Sequence, residues 1–190
     1  MKRYIVGITG ASGSIYAKRL LEVLEAKEAE VYVTVTEAGR QVWNDELEVN
    51  IRQQLGDNKD SNSIIYLDNQ NLSAPIASGS FQTDGMIVIP CSMATLASIT
   101  QGHSSNLLER AADVALKEKR QLIAVPRETP LNTIHLENML KLSKLGADII
   151  PPMPAFYNQP ETIDDLVNFV VGRVLDRLGV EHDIYQRWKD

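Results

Sequence analysis

An Arg–Glu pair is the feature of this sequence that most directly suggests chemistry. Arg127 and Glu128 follow the apolar run Leu122–Pro126, which is typical of a buried strand in a parallel sheet. Ligands of open α/β sheets bind outside the carboxyl ends of the strands. At that place a guanidinium can hold a phosphate or a carboxylate through two hydrogen bonds, and a carboxylate can transfer a proton. The alternative is an ion pair in an exposed turn.

Two turns made of small residues could hold a ligand beside this pair. Thr9–Ser14 and Pro90–Thr95 each follow an apolar run and lead into a helical pattern. The amino end of a helix presents free N–H groups and a partial positive charge, which suit a phosphate or a polar ring edge. The first turn lacks the spacing of a dinucleotide fold or a P-loop, so a ligand site and a plain turn both remain open. In the second turn, Ser92 could equally be an N-cap, and we interpret Cys91 as a small buried residue.

Two other features could belong to a site or to an ordinary surface. Arg110, Asp113 and Lys117 form one charged stripe on the predicted helix Asn106–Lys119, for which a solvated face is the default interpretation. Tyr157 follows a proline-rich segment that would hold its phenol in place to donate to a phosphate. The alternative for Tyr157 is a packed aromatic ring beside a turn.

Arg173 occupies an unusual position in the predicted helix Thr162–Leu178. It lies four residues after Phe169 and three after Val170, which places it on the apparent apolar face of that helix. A charge on a packing face needs a partner, so Arg173 is either an interface ion pair or part of an anion site. We expect the tail after Gly179 to pack on something other than the core.

These residues are positioned by an alternation of strands and helices. The apolar runs are rich in Val and Ile, as expected of parallel strands that are covered on both faces. Such an alternation predicts a doubly wound sheet, and neither a repeat nor a second domain is evident. The polar stretch Gly56–Ser63 is predicted to be a loop. The predicted strands are Tyr4–Thr9, Val31–Thr36, Ile64–Leu67, Met86–Pro90, Gln121–Val125 and Asp148–Pro151, and the further predicted helices are Ser14–Ala26 and Ile134–Leu145.

The composition excludes several classes of function. Hydrophobic residues make up 44% of the chain and charged residues 23%, as in ordinary globular proteins. The net charge is −6 and no basic run occurs, which argues against nucleic acid as a partner. One cysteine allows no internal disulfide, and the three histidines show no metal-binding spacing. No apolar stretch approaches the roughly 20 residues of a membrane span, so we expect a cytoplasmic protein without membrane contact.

Eight short sequence motifs occur in order along almost the whole chain. Each is weakly specific alone, but together they resemble the flavin prenyltransferase family, the UbiX/Pad1-type proteins. The motifs are TGASG at Thr9–Gly13, ASGS at Ala77–Ser80, PCSM at Pro90–Met93, ERAADVALKE at Glu109–Glu118, VPRETPL at Val125–Leu131, HLENMLKLS at His135–Ser143, PAFY at Pro154–Tyr157 and FVVGRVLD at Phe169–Asp176.

The resemblance implies a fold, an activity and an assembly. It implies one domain over residues 1–190, a Rossmann-like (flavodoxin-type) three-layer sandwich with a mainly parallel sheet. The family joins the dimethylallyl group of dimethylallyl phosphate, or in some members the diphosphate, to reduced FMN, without a metal. The prenylated FMN then serves a UbiD-type decarboxylase, as in ubiquinone biosynthesis. The family assembles as homo-oligomers, commonly dodecamers.

The resemblance also assigns roles to individual residues. Ser12 matches a serine near the reacting flavin nitrogen, and Glu46 matches an acidic residue near the flavin. Glu128 matches the residue that protonates the leaving phosphate, and Arg110 matches an arginine lining the site. The matching FMN-binding residues are Gly10, Ala11, Ser12, Thr36, Ser92, Met93, Ala94, Thr95 and Arg127, and the residues matching the prenyl-phosphate site are Lys117, Arg127, Tyr157 and Arg173.

One departure and two alternatives accompany this reading. Leu72 stands where some members carry an aromatic residue, so the choice between phosphate and diphosphate stays open. The first alternative is an FMN-dependent decarboxylase of cysteine-containing substrates, which would not need the cluster of Arg, Lys and Tyr. The second is a non-catalytic subunit that binds and delivers flavin. We further expect FMN to lie between the Gly10–Ser12 and Ser92–Thr95 turns, and the active site to lie at a subunit junction.

Overall fold

The computed structural model describes residues 1–56 and 63–188, so most of the predicted Gly56–Ser63 loop lies outside the described residues. Within these ranges six strands form one parallel sheet in the order β3-β2-β1-β4-β5-β6. This confirms the predicted α/β fold, and each predicted strand has its counterpart. The strands are β1 (Arg3–Ile8), β2 (Glu30–Val35), β3 (Ile64–Leu67), β4 (Gly85–Cys91), β5 (Leu122–Pro126) and β6 (Asp148–Ile149).

The strand order reverses between β1 and β4, and this reversal creates the place for a site. β1 pairs with β2 on one side and with β4 on the other. The loops after β1 and β4 therefore leave the sheet toward opposite faces and open a crevice at its carboxyl edge. In doubly wound sheets ligands bind at such a switch point.

Helices cover both faces of the sheet. Leu20, Trp43 and Val171 pack on one face, and Leu96, Leu108 and Leu142 pack on the other. Among the described residues, no helix combines the length and the apolarity that a membrane span needs. The helices are α1 (Ser14–Ala26), α2 (Glu37–Leu47), α3 (Ile51–Gly56), α4 (Met93–Gln101), α5 (Leu107–Lys117), α6 (Thr133–Lys144) and α7 (Ile163–Leu178).

The helix α7 corrects the predicted position of Arg173. Its buried residues include Val167, Val171 and Leu175 as well as Val170. This face is rotated away from Phe169, and Arg173 points outward with 55% of its side chain exposed. The expectation that Arg173 lies on the packing face is therefore wrong.

The tail after α7 also differs from expectation, because it packs on the core of its own chain. Val180 and Ile184 lie against the cluster that α1 and α7 share. Tyr185 lies over Gly172, where an added Cβ atom would collide with the tyrosine ring. The glycine in the middle of α7 is thus explained by the close approach of the tail.

Asn69 links the two sides of the sheet edge and provides a test of the fold. Its buried side-chain oxygen accepts hydrogen bonds from the Leu108 amide at 3.0 Å and from the Thr34 hydroxyl at 3.1 Å. We expect Asn69→Ala to lower the free energy of unfolding by about 1–3 kcal/mol, because it leaves a buried N–H without an acceptor. Urea denaturation measures this.

The matched control is Asn71→Ala in the same turn. Asn71 is exposed and accepts only a local hydrogen bond, from the Ser73 amide at 3.1 Å. Its removal should change stability by less than about 0.5 kcal/mol. Equal effects of the two substitutions would contradict the bridging role of Asn69.

Candidate active site

Thr9 joins the two turns that border the crevice. This residue is 1% exposed and directly follows β1. Its hydroxyl donates to the Pro90 carbonyl at 2.8 Å and accepts from the Ser92 amide at 2.7 Å. The end of β1 is therefore fixed to the end of β4, and the turns at Gly10–Ser12 and Ser92–Thr95 face the same crevice.

The first turn is held from two directions. A Cβ atom on Gly10 would lie 2.5 Å from the Cβ atom of Ala38, so only glycine allows α2 to pack this closely. On the other side, the Ser12 carbonyl accepts a hydrogen bond of 3.2 Å from Nε of Arg127. Ala11 between them is buried. Residues of the first turn and the end of β5 are thus brought together, as the sequence predicted.

Glu46 closes the amino end of α1 from another helix. Gly13, the N-cap of α1, offers no side chain of its own and has a φ of 117°. The Glu46 carboxylate takes over the capping role and accepts from the amides of Gly13 at 3.1 Å and Ser14 at 2.7 Å. The partial positive charge of this helix end is therefore already neutralised by a side chain.

The pKa of Glu46 follows from the same contacts. Burial raises this pKa, but hydrogen bonds from the Ser12 hydroxyl and from the Ser14 and Gly13 amides together outweigh burial, and the pKa falls below its ordinary value of 4.5. Glu46 is consequently ionised near neutral pH. It can accept a proton or a hydrogen bond but cannot act as an acid there.

The amino ends of α2 and α4 lie at the same edge of the sheet. Thr36 caps α2 by accepting from the Gly39 amide at 3.0 Å, and its own amide donates to the Ile8 carbonyl at 3.0 Å. Ser92 caps α4, accepting from the Thr95 amide at 3.2 Å, and its hydroxyl donates to that of Thr95 at 3.0 Å. Helix ends without a carboxylate cap of this kind can bind an anion.

The other residues of the second turn are unequal in exposure. Met93 packs into the core, whereas Ala94 is exposed. Cys91 is fully buried, and burial raises the pKa of its thiol to about 12. A thiol with this pKa has almost no thiolate at neutral pH, so Cys91 is structural, as the sequence indicated.

Arg127 lies where two grooves meet. One groove, of about 440 Å³, contains Ser12, Glu46 and Arg127. A second, of about 420 Å³, contains Arg127 and Glu128 and continues along the apolar side chains of Leu131, Met139 and Met153. Pro152 lines both grooves. Four of the predicted site residues thus border one continuous region with a cation at its centre.

Tyr157 and Arg173 lie on the far side of the same proline segment. Arg173 lines a third groove together with Pro151, which also borders the second groove. Nη1 of Arg173 donates to the Asp176 carboxylate at 3.1 Å. Tyr157 packs edge-to-face against Phe169 and Trp188, with ring centroids 6.0 and 4.9 Å apart.

Arg110 and Lys117 are not brought to this region within one chain. Arg110 pairs with Asp113 and donates to the Ala77 carbonyl, and Lys117 pairs with Glu118 at 2.9 Å. Lys117 ends the helix before β5, whereas Arg127 follows β5. The five residues of β5, a strand roughly 16 Å long at about 3.3 Å per residue, lie between them in the chain.

Two residues with evident structural roles were not assigned a role from sequence. They are Thr9, described above, and Asp176, whose pKa burial raises but hydrogen bonds from Arg187, Tyr185 and His182, together with the Arg187 charge, lower to about 2. Both stand at an end of a motif noted in the sequence, TGASG and FVVGRVLD. Their position in those motifs was the available signal.

A parallel sheet with capped helix ends and an arginine at its switch point defines an α/β protein built to bind a polar or anionic ligand. A family model described as Flavoprotein matches residues 1–175. A protein named flavin prenyltransferase UbiX from Halalkalibacterium halodurans is 54% identical over 190 residues, which cover 97% of this chain and 92% of the relative. The chain therefore belongs to the flavoprotein family and, within it, to the flavin prenyltransferases.

Two solved structures support the same placement. A dodecameric FMN-dependent UbiX-like decarboxylase from Escherichia coli O157:H7 is 46% identical with a TM-score of 0.92, covering 99% of this chain and 100% of that chain. AnUbiX (PadA1), in complex with FMN and dimethylallyl pyrophosphate, is 38% identical with a TM-score of 0.93, covering 100% of this chain and 98% of that chain.

The link between β1 and β4 can be tested at Thr9. Thr9→Val keeps the shape but removes the hydroxyl, which leaves the Ser92 amide without its acceptor, while the Pro90 carbonyl keeps the hydrogen bond from the Thr9 amide at 3.2 Å. We expect a loss of about 1–3 kcal/mol in the free energy of unfolding, measured by urea denaturation. Thr9→Ser keeps the hydroxyl and should cost about 0.8 kcal/mol for the lost methyl group. A serine variant as unstable as the valine variant would show that packing, not the hydrogen bonds, holds the turns.

The capping role of Glu46 predicts a dependence on pH. Because its pKa is lower in the folded protein, its stabilising contribution is complete above pH 4.5 and is lost as the pH falls through the folded value. Glu46→Gln should lower stability by about 1 kcal/mol at neutral pH, as the loss of a helix cap does. The difference between the two proteins should shrink below pH 4.5 in urea titrations. A difference that stays constant or grows on acidification would contradict this role.

Proposed function

We propose that this chain joins the dimethylallyl group of dimethylallyl phosphate to reduced FMN, giving prenylated FMN, as one domain over residues 1–190. The observation that carries the proposal is the meeting of Ser12, Glu46 and Arg127 at the switch-point crevice. Support for the proposal from outside this chain comes from the 54% identical relative named flavin prenyltransferase UbiX.

The residues present fit a flavin phosphate. The amino ends of α2 and α4, whose caps are the hydroxyl groups of Thr36 and Ser92, and the guanidinium of Arg127 suit an anion. The amino end of α1 is occupied by Glu46, so it favours a neutral ring edge instead. The residues that would hold FMN are Gly10, Ala11, Ser12, Thr36, Ser92, Met93, Ala94, Thr95 and Arg127. When bound, reduced flavin supplies the electron-rich atoms that are alkylated.

The charged side chains divide the remaining work. Arg127, Arg173 and the Tyr157 phenol would bind the prenyl phosphate and stabilise its charge as it leaves. Glu128 is exposed beside Arg127 and would give the departing phosphate a proton. Glu46 is ionised and would accept the proton released as the new ring closes, while the Ser12 hydroxyl holds its carboxylate in place.

We further propose that the chain forms a homo-oligomer, a dodecamer, with its site at a subunit junction. Ile134 is 66% exposed and Met153 is 70% exposed, and Leu136 and Leu140 on α6 are also exposed. Such apolar surface is typical of an interface. Since Lys117 and Arg110 are remote from Arg127 in one chain, a neighbouring subunit would supply them. The E. coli structure named above is described as dodecameric.

The product would serve a UbiD-type decarboxylase in the cytoplasm, in ubiquinone biosynthesis or a related route. The two alternative functions have weaker support. Proteins named PPC decarboxylase share only 20% identity with a TM-score of 0.62, which supports a common fold and no more. A delivery subunit would have no use for Glu46 and Glu128 beside the cation of Arg127.

One incubation distinguishes the three functions. The protein is mixed anaerobically with reduced FMN and dimethylallyl phosphate, and the extracted flavin is analysed by mass spectrometry. A flavin heavier by one dimethylallyl unit is expected, and a mixture without protein is the control. Bound but unchanged flavin would overturn the proposal in favour of the alternatives.

Substitutions of Arg173 and of Glu46 should affect different steps, substrate binding and turnover respectively. Arg173→Ala removes a charge-assisted contact to the prenyl phosphate, so dimethylallyl phosphate should bind roughly 10–100-fold more weakly while FMN binding is retained. Glu46→Gln keeps the shape and removes the charge, so both ligands should bind while turnover falls. Calorimetric titration of each ligand and steady-state rates measure this. An equal loss of FMN affinity in both variants would show that these residues serve the fold or the flavin.

A further inference from the structure

We infer that Asp176 is a positioning residue that fixes both the phosphate-binding arginine and the carboxy-terminal segment beside Tyr157. The inference rests on the proposed function, because Arg173 and Tyr157 are residues of the proposed prenyl-phosphate site. Asp176 itself touches neither groove that contains Arg127. It acts through its neighbours.

The carboxylate of Asp176 gathers four donors from two separate segments. Arg173 on the preceding turn of α7 donates at 3.1 Å. The donors from the tail are Nε2 of His182 at 3.1 Å, the Tyr185 hydroxyl at 2.7 Å and Nη2 of Arg187 at 2.6 Å. With 17% of its side chain exposed, Asp176 is a largely buried charge.

The surface of α7 is shaped to receive this tail. Gly172, one turn before Asp176, leaves room for the rings of Tyr185 and His182. The imidazole of His182 is almost fully buried there. A glycine destabilises a helix relative to alanine, and the packing of the tail offsets this. The tail is therefore a built part of the fold rather than a loose end.

A series of aromatic contacts connects the docked tail to Tyr157 of the proposed site. Tyr185, held by Asp176, packs against Phe169 with ring centroids 5.3 Å apart. Phe169 packs against Tyr157, and Tyr157 packs against Trp188 at the end of the tail. Asp176 is thus connected to Tyr157 by two sets of contacts, one through Tyr185 and Phe169 and the other through Trp188 of the tail. Loss of the Asp176 charge should loosen both Arg173 and the aromatic wall around Tyr157.

Asp176→Asn tests this role, and Asp148→Asn is the matched control. Asp148 is a partly buried carboxylate on the same groove, and its partners are Arg177 at 2.7 Å and the side-chain amide of Gln121 at 3.2 Å. In the FMN-loaded protein we expect Asp176→Asn to weaken calorimetric binding of dimethylallyl phosphate by about tenfold, the lower end for a charged hydrogen bond. FMN affinity should stay within about twofold of wild type. Hydrogen exchange of residues 181–188 should become faster.

The double variant Arg173→Ala/Asp176→Asn shows whether Asp176 acts through its neighbours. Its loss of binding should be clearly smaller than the product of the two single losses, because residues in one network are not additive. Asp176→Glu, which keeps the charge, should restore part of the affinity and of the protection from exchange.

Several results would overturn the inference. They are an unchanged exchange rate in the tail, a substrate affinity equal to that of Asp148→Asn, or an equal loss of FMN and substrate binding. Multiplicative losses in the double variant would also count against it. Wild-type protein that binds dimethylallyl phosphate but never alkylates flavin would refute the proposed function alone, because the binding comparison would still decide the role of Asp176.

Discussion

The site depends on one buried hydroxyl group. Thr9 fixes the end of β1 to the end of β4 through hydrogen bonds to Pro90 and Ser92, at the point where the order of the sheet reverses. Every other part of the site is placed relative to these two strand ends. The first turn meets Arg127, the second begins α4, and α2 packs on the first turn so closely that Gly10 must lack a side chain. The strand order creates the crevice, and the Thr9 hydroxyl holds the two strand ends that border it together.

The charges around this crevice are arranged in opposition. Glu46 neutralises the amino end of α1, whereas Thr36 and Ser92 cap α2 and α4 with hydroxyl groups, and Glu37 in the first turn of α2 pairs with Arg40. Arg127 adds a positive charge on the β5 side. A ligand with a neutral ring and an anionic group would therefore be oriented by the field of the site as well as by its shape. The Glu46 carboxylate that caps α1 is also available as a proton acceptor, so one residue contributes to the stability of the fold and to the proposed proton transfer.

The sequence predicted the sheet better than it predicted the partners across it. Runs of Val and Ile identify buried parallel strands, and Leu20 and Leu24 identify α1, because the spacing of apolar residues within a short segment indicates which of them are buried. The helix α2 buries only Gly39 and Trp43 and shows no apolar stripe, so it was not predicted. The face of α7 was misjudged because adjacent helix positions differ by only about 100°, and Val171 and Leu175 are as apolar as the residues chosen. The capping of α1 by Glu46 joins residues 32 apart in the sequence, so no local pattern predicts it. The motif that contains Lys117 does not indicate whether this lysine would contribute to the site of its own chain or of a neighbouring subunit.

The tail held by Asp176 has a consequence for how the protein fluctuates. It follows α7 directly after Gly179, and the conformational entropy lost when its residues are ordered is regained when it leaves. Segments at the end of a fold can open with less free energy than global unfolding requires. The wall beside Tyr157 can therefore open and close many times while β1, β4 and β5 stay assembled. The strands carry the turns proposed to hold flavin, and the docked tail stands beside Tyr157, which is proposed to contact the substrate.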